Sequence, residues 1–141
     1  ATEFGPDGFL PDDPRAKADT LAEHGLAAVG QFVPVVLHDA GVDPLPVVEV
    51  AMAGLVAAEA STVVLAAATG AEGYDARPEL DEAGWATLLG NLDRISDAAA
   101  EHGLTASQDA HGLVRPDRWG TVLGAAGSLA LAVVLRGLRR R

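Results

Sequence analysis

The stretch LAAVGQFVPVVL, residues 26–37, decides how this chain folds. It carries no charged side chain, and it is rich in the β-branched and aromatic residues that favour strands. An apolar run of this length is typical of a parallel strand that is covered on both faces. Pro34 has no amide hydrogen, so we expect a bulge or the end of the strand at that position.

Outward from this strand, the sequence alternates between helical and strand patterns. Such alternation predicts parallel strands joined by helical crossovers, and therefore an α/β fold. Neither a G-x-G-x-x-G motif nor a Walker-type loop follows a strand, which favours a barrel over a nucleotide-binding doubly wound sheet. Residues 1–13 are polar and rich in Gly and Pro, which predicts a loop. The predicted helices cover residues 14–24, 45–60 and 82–102, and the predicted strands cover 26–37, 62–69 and 104–107.

The first and third helices have recognisable end signals, and the second and third have apolar stripes. Asp13 is the predicted N-cap of the first helix, Pro14 suits its first position, and Gly25 and Gly103 are expected stop signals. At helical spacing, the second helix is predicted to bury Val47, Val48, Ala51, Met52, Leu55 and Val56, and the third Trp85, Leu88, Leu89, Leu92, Ile95 and Ala99.

Length and composition limit the architecture. The chain has 141 residues, of which 49% are hydrophobic, so it can bury a core as one domain. A complete eight-unit βα barrel needs about 200 to 250 residues. We therefore predict an incomplete barrel of about three βα units. The chain contains no cysteine and begins with a polar segment unlike a signal peptide, so we expect a cytoplasmic protein.

Charge is distributed unevenly along the chain. Residues 1–114 carry nineteen acidic and four basic side chains, whereas residues 115–141 carry six arginines and one acid. An acidic body of this kind repels phosphates, which argues against a nucleic-acid partner.

Polar residues that follow the strands are the candidate site residues, because parallel βα proteins bind ligands at the carboxyl ends of their strands. His38 directly follows the first long strand, and the alternative interpretation is that it only caps that strand. Asp109 and His111 are two residues apart and both are good ligands for a divalent metal, but two residues do not make a site. His24 and His102 precede helix-ending glycines and are interpreted as structural. The predicted substrate-facing residues are Glu3, His38, Tyr74 and His111.

Three segments resemble a known family. They are TEFGPDGFLP (residues 2–11), QFVPVVLHDAGVDPLP (31–46) and the stretch 63–104, in which GYDARPELDEAGW (73–85) is the most specific part. Together they resemble the xylose isomerase-like TIM-barrel family, and more narrowly its sugar phosphate isomerase/epimerase and inosose dehydratase branch. The resemblance implies proton abstraction next to a carbonyl on a polyol, ketose or keto-inositol, assisted in complete members by a divalent metal ion (Mn, Mg or Co).

The sequence also departs from this family. Where members usually carry His-Pro-His, residues 107–112 read SQDAHG, and only His111 matches after a slip of one residue. The family's metal-binding acids lie on later strands. We therefore expect no bound metal and no turnover by this chain alone. The alternative function is a non-catalytic interaction module, with its basic C-terminal tail on a membrane surface or an acidic partner. The open edges of a partial sheet predict a homodimer.

The last segment, residues 113–141, does not resemble the family, and we place the domain boundary after residue 112. Residues 120–135 are uncharged and are followed by a cluster of arginines. Three interpretations stay open: a short membrane helix with a basic flank, a hydrophobic helix that covers the open sheet, or a segment that arose by frameshift, premature termination or fusion.

Overall fold

Four parallel strands form one sheet in this computed structural model, which describes residues 1–6, 8–70 and 79–109. The strands are arranged in the order β1-β2-β3-β4, the same order as in the sequence. A doubly wound sheet reverses its order at a switch point, whereas a barrel adds each strand beside the previous one. The observed order is that of an incomplete βα barrel, and the predicted α/β class is confirmed. The elements are β1 (Thr2–Glu3), α1 (Pro14–Glu23), β2 (Ala28–Val35), α2 (Leu45–Ala57), β3 (Thr62–Ala67), α3 (Glu82–Glu101) and β4 (Thr105–Asp109).

Local hydrogen bonds set the ends of the helices. The Asp13 carboxylate accepts from the amide of Ala16 at 2.8 Å, and the chain reverses at Gly25, whose φ is 63°. These ends agree with the predicted helix to within one residue. Helix α2 ends three residues earlier than predicted, because Glu59 adopts a left-handed φ of 54° that no helix continues through.

Strand β1 corrects the prediction of a loop over residues 1–13. The amide of Thr2 donates to Ala27 at 2.8 Å, and the amide of Phe4 donates to Gly30 at 3.2 Å. A two-residue strand is too short to show alternation in its sequence. It exists because the edge of β2 offers backbone partners, so only the assembled sheet reveals it.

Pro34 lies inside β2, which keeps a regular register with β3 and shows no bulge there. The carbonyl of Gly30 faces β1, where it accepts from Phe4, and the carbonyl of Val35 faces β3, where it accepts from Ala68. The backbone groups of alternate residues in a strand point toward opposite neighbouring strands. The ring nitrogen of Pro34 therefore faces the β1 side, beyond the described pairing, and costs the β2–β3 ladder no hydrogen bond.

The core lies between the helices and one face of the sheet. Its centre is made of Val33, Leu65, Leu55 and Ile95, none of which is more than 4% exposed. The predicted stripes were too wide, because a helix that rests on a sheet buries only the residues that face it. Four predicted core residues are exposed: Val47 (56%), Val56 (45%), Trp85 (38%) and Leu89 (37%).

The opposite face of the sheet is called the inner face here, because it would line the interior of a closed barrel. It carries Phe32, which is 47% exposed, and Pro34, which is exposed. In register beside them on β3 are Val64 and Ala66, both half-buried. The part of this face formed by Phe32, Pro34, Val64 and Ala66 is apolar, whereas Ser107, in register beside Val64 on β4, is polar and exposed. The face remains open to solvent over the described residues.

The predicted hydrophobic C-terminal helix and the boundary after residue 112 lie outside the described residues. Within those residues, no helix is both long and apolar enough to cross a bilayer.

Candidate functional site

The best-defined candidate side chain is His38, at the carboxyl end of β2. It follows Leu37, which is fully buried, and its own ring is half-buried. The ring Nδ1 is buried and has no hydrogen-bond partner among the described residues. A buried polar atom without a partner is uncommon in proteins and calls for a reason, such as a ligand or an unseen neighbour.

The loop that carries His38 into α2 is ordered by its own aspartates. Asp39 accepts from the amide of Gly41 at 2.8 Å through its carboxylate, and its carbonyl accepts from the amide of Val42 at 3.1 Å. This turn, in which the side chain bonds the backbone two residues on, is characteristic of Asp. The backbone next to His38 is thereby held in a defined conformation.

Glu3 occupies a different level of the sheet. It is exposed and lies in register with Gly30, near the start of β2. Val35, the last residue of β2, is five residues further along, roughly 17 Å at 3.3 Å per residue, and His38 lies beyond it. The described sheet does not bring Glu3 and His38 together. Tyr74 and His111, the other two predicted substrate-facing residues, lie outside the described residues.

Two residues that the structure places on the sheet or against it were not singled out from the sequence. The sequence predicts that Phe32 lies in a strand covered on both faces, but register with β3 places it on the inner face. Asn91 is 7% exposed on α3 and donates from Nδ2 to the carbonyl of Leu37 at 2.9 Å. The sequence does contain a signal for Asn91, because it is a polar residue at a position that belongs to the apolar stripe of α3.

A small recess lies on the helix side of the sheet, below the loop that follows β1. Gln31 forms its floor, is 6% exposed, and has an Oε1 atom with no partner among the described residues. Lys17 borders it and places its ammonium 5.1 Å from the centre of the Phe4 ring. The recess measures about 20 Å³, enough for one water-sized molecule. His38 is not among the residues that line it, so the recess is not part of the candidate site.

The described residues do not fit a metal ion. Over 1–6, 8–70 and 79–109, no three His, Cys, Asp or Glu side chains come together in a way that would hold one. The described residues therefore offer no ligand set for the divalent ion that the resemblance implies.

No family profile and no curated protein matches the sequence. Among solved structures, the chain is similar to the apo form of 3-keto-D-glucoside 4-epimerase, YcjR, from E. coli, with a TM-score of 0.55 and 15% sequence identity. The match covers 67% of this chain and 40% of the epimerase, so the chain spans two fifths of that protein's length. At this identity the likeness shows a shared fold.

Proposed function

We propose that this chain is part of a sugar isomerase or epimerase of the xylose isomerase-like kind, and that its substrate is a ketose, polyol or keto-inositol. The observation that carries the proposal is His38, which lies three residues beyond the end of β2 and whose buried Nδ1 has no hydrogen-bond partner among the described residues. Fold likeness to a sugar epimerase supports it at the level of architecture. Ligands of βα barrels bind at the carboxyl ends of the strands, and His38 is at such an end.

His38 has the chemistry that this reaction class requires. Isomerases and epimerases of carbonyl sugars remove a proton from the carbon next to the carbonyl, which needs a positioned base or hydrogen-bonding group. A neutral imidazole offers one donor and one acceptor, and the partner of one ring nitrogen fixes the role of the other. We propose that His38 contacts a substrate hydroxyl or carbonyl. We propose the same kind of contact for Tyr74 and His111, whereas Glu3 lies too far from His38 along the sheet to contact the same sugar.

Sugar binding can be tested by NMR on the chain itself, because it has only four histidines. D-xylulose and 2-keto-myo-inositol, titrated separately, are expected to shift the imidazole resonances of His38. His24 and His102, which are exposed at the ends of α1 and α3, serve as internal controls and should not move. A His38→Ala variant should lose binding, and His102→Ala should retain it.

The outcome separates two classes of function. A His38 signal that stays unchanged up to tens of millimolar of both sugars would overturn the proposal. A chain that binds neither sugar but forms a stable assembly would support the interaction module instead.

We also propose that a second copy pairs with the open edge of the sheet. Over the described residues β4 pairs only with β3, and its Ser107 and Gln108 are exposed. Two four-stranded halves contain eight strands, the number in a complete barrel. Light scattering is expected to give twice the chain mass of 14.4 kDa, and a monomer across the micromolar range would contradict this. The absence of cysteine supports a cytoplasmic location for the assembly.

A further inference from the structure

A chain of hydrogen bonds joins helix α3 to the loop that carries His38. Asn91 donates from Nδ2 to the carbonyl of Leu37 at 2.9 Å, and its Oδ1 accepts from Nη1 of Arg94 at 2.9 Å. Nη2 of the same guanidinium donates to the Asp43 carboxylate at 3.1 Å. The network thus spans from the end of β2 to the start of α2 by way of a helix that belongs to the next βα unit.

The two ends of this network differ in burial. Asn91 is 7% exposed and Leu37 is fully buried, so their bond is shielded from water. The side chains of Arg94 and Asp43 are 50% and 56% exposed, where an ion pair contributes little to stability. Arg94 nevertheless occupies the acceptor side of the Asn91 amide, which leaves the amide's donor side for Leu37. The exposed pair therefore orients the buried amide.

The bond to Leu37 acts directly on the backbone of His38. The carbonyl of Leu37 and the amide nitrogen of His38 share one planar peptide unit. Holding that carbonyl fixes the direction in which the backbone of His38 leaves the strand. The loop is therefore fixed at both ends to α3, at Leu37 through Asn91 and at Asp43 through Arg94.

We propose that Asn91 is a positioning residue, which sets the orientation of His38 through the Leu37 carbonyl. Arg94 and Asp43 hold the Asn91 amide in the orientation that this requires. The functional part of this inference rests on the proposed role of His38 in sugar binding. The geometric part does not, because it concerns the His38 ring in the free protein.

The test replaces Asn91 and measures the His38 ring without any sugar. Asn91→Leu keeps an apolar side chain of similar size but has no donor for Leu37. At fixed pH, the imidazole ¹⁵N resonances of His38 are expected to shift, because they report ring environment and tautomer. The rate of hydrogen–deuterium exchange at the Val42 amide should rise about tenfold, as expected when one net hydrogen bond is lost.

Leu92→Ala is the matched control. Leu92 is the next residue on α3 and is 7% exposed, as Asn91 is, but it takes no part in the network. Its truncation should lower the melting temperature and leave the His38 resonances in place. Identical His38 shifts in both variants would mean a general loss of stability and would overturn the inference, as would unchanged His38 shifts in folded Asn91→Leu.

Arg94→Met covers the case in which Asn91→Leu does not fold. Arg94 is half-exposed, so this variant is expected to remain folded and to shift His38 in the same direction by a smaller amount. No shift in Arg94→Met would overturn the inference. If the variants behave as expected while sugars leave His38 unmoved, the positioning role stands and the proposed function fails.

Discussion

Replacing Gly30 by alanine tests how tightly β2 and β3 approach each other. A Cβ atom added to Gly30 would lie 2.7 Å from the backbone oxygen of Thr62, whereas ordinary contacts begin at 3.4 Å. Thr62 is the register partner of Gly30 on β3, and a backbone atom cannot rotate away as a side chain can. The two strands must therefore separate or shift at this pair.

The expected cost follows from that clash. Inserting a methyl group into a close-packed region costs about 1–3 kcal/mol. Against this, replacing glycine lowers the entropy of the unfolded chain and recovers about 0.4–1 kcal/mol. We expect a net destabilisation of about 1–2 kcal/mol, which for a domain of this size lowers the melting temperature by roughly 3–8 °C.

Gly90→Ala is the matched control for this experiment. Gly90 is exposed on α3, and a Cβ atom there would meet nothing within 4 Å. The same chemical change should stabilise the helix by about 0.5–1 kcal/mol. Thermal unfolding, followed by circular dichroism, should show a lower melting temperature for Gly30→Ala and a higher one for Gly90→Ala. A Gly30→Ala protein that melts at or above the wild-type temperature would refute the close approach of the two strands.

Three further predictions concern α2 and α3. Leu55→Ala removes a fully buried side chain and should lower the free energy of unfolding by about 2–5 kcal/mol. Val50→Ala, on the same helix but 72% exposed, should change it by less than about 0.5 kcal/mol. Urea denaturation compares the two variants, and equal losses would contradict the assigned face of α2. Glu59→Gly should stabilise by up to about 1 kcal/mol, because glycine adopts the left-handed conformation of Glu59 without strain; a loss of stability in urea would count against it. Asp81→Ala removes the N-cap of α3, whose carboxylate accepts from the Gly84 amide at 2.8 Å, and should cost about 1 kcal/mol; an unchanged urea midpoint would show that the cap contributes nothing.

Much of the secondary structure is predictable because its signals are local. The caps of α1 and α3 are bonds between a side chain and an amide three residues away, and Asp13 is predicted as a cap from its place directly before Pro14. The apolar run of β2 was likewise visible, although its regular strand, Ala28–Val35, is shorter at each end than the run itself. Elements of this kind depend on residues that are neighbours in the sequence.

The candidate site is less predictable, because it depends on which strands and helices meet. His38 was found from its place directly after a strand. The bond between Asn91 and Leu37 joins residues 54 positions apart, and no local pattern encodes such a pair. Glu3 is grouped with His38 because the opening segment is interpreted as another loop that follows a strand, but the register of β1 places Glu3 beside Gly30.

The sequence by itself determined the alternation of helices and strands, the ends of α1, and the parallel α/β class, since hydrophobic periodicity and capping act over a few residues. Only the tertiary structure decided that residues 2 and 3 form a strand, that Phe32 lies on the inner face, and that Val47 is exposed. These features depend on strand pairing and helix packing between distant segments. A segment's own pattern shows which face is apolar, but its neighbours decide which part of that face is buried.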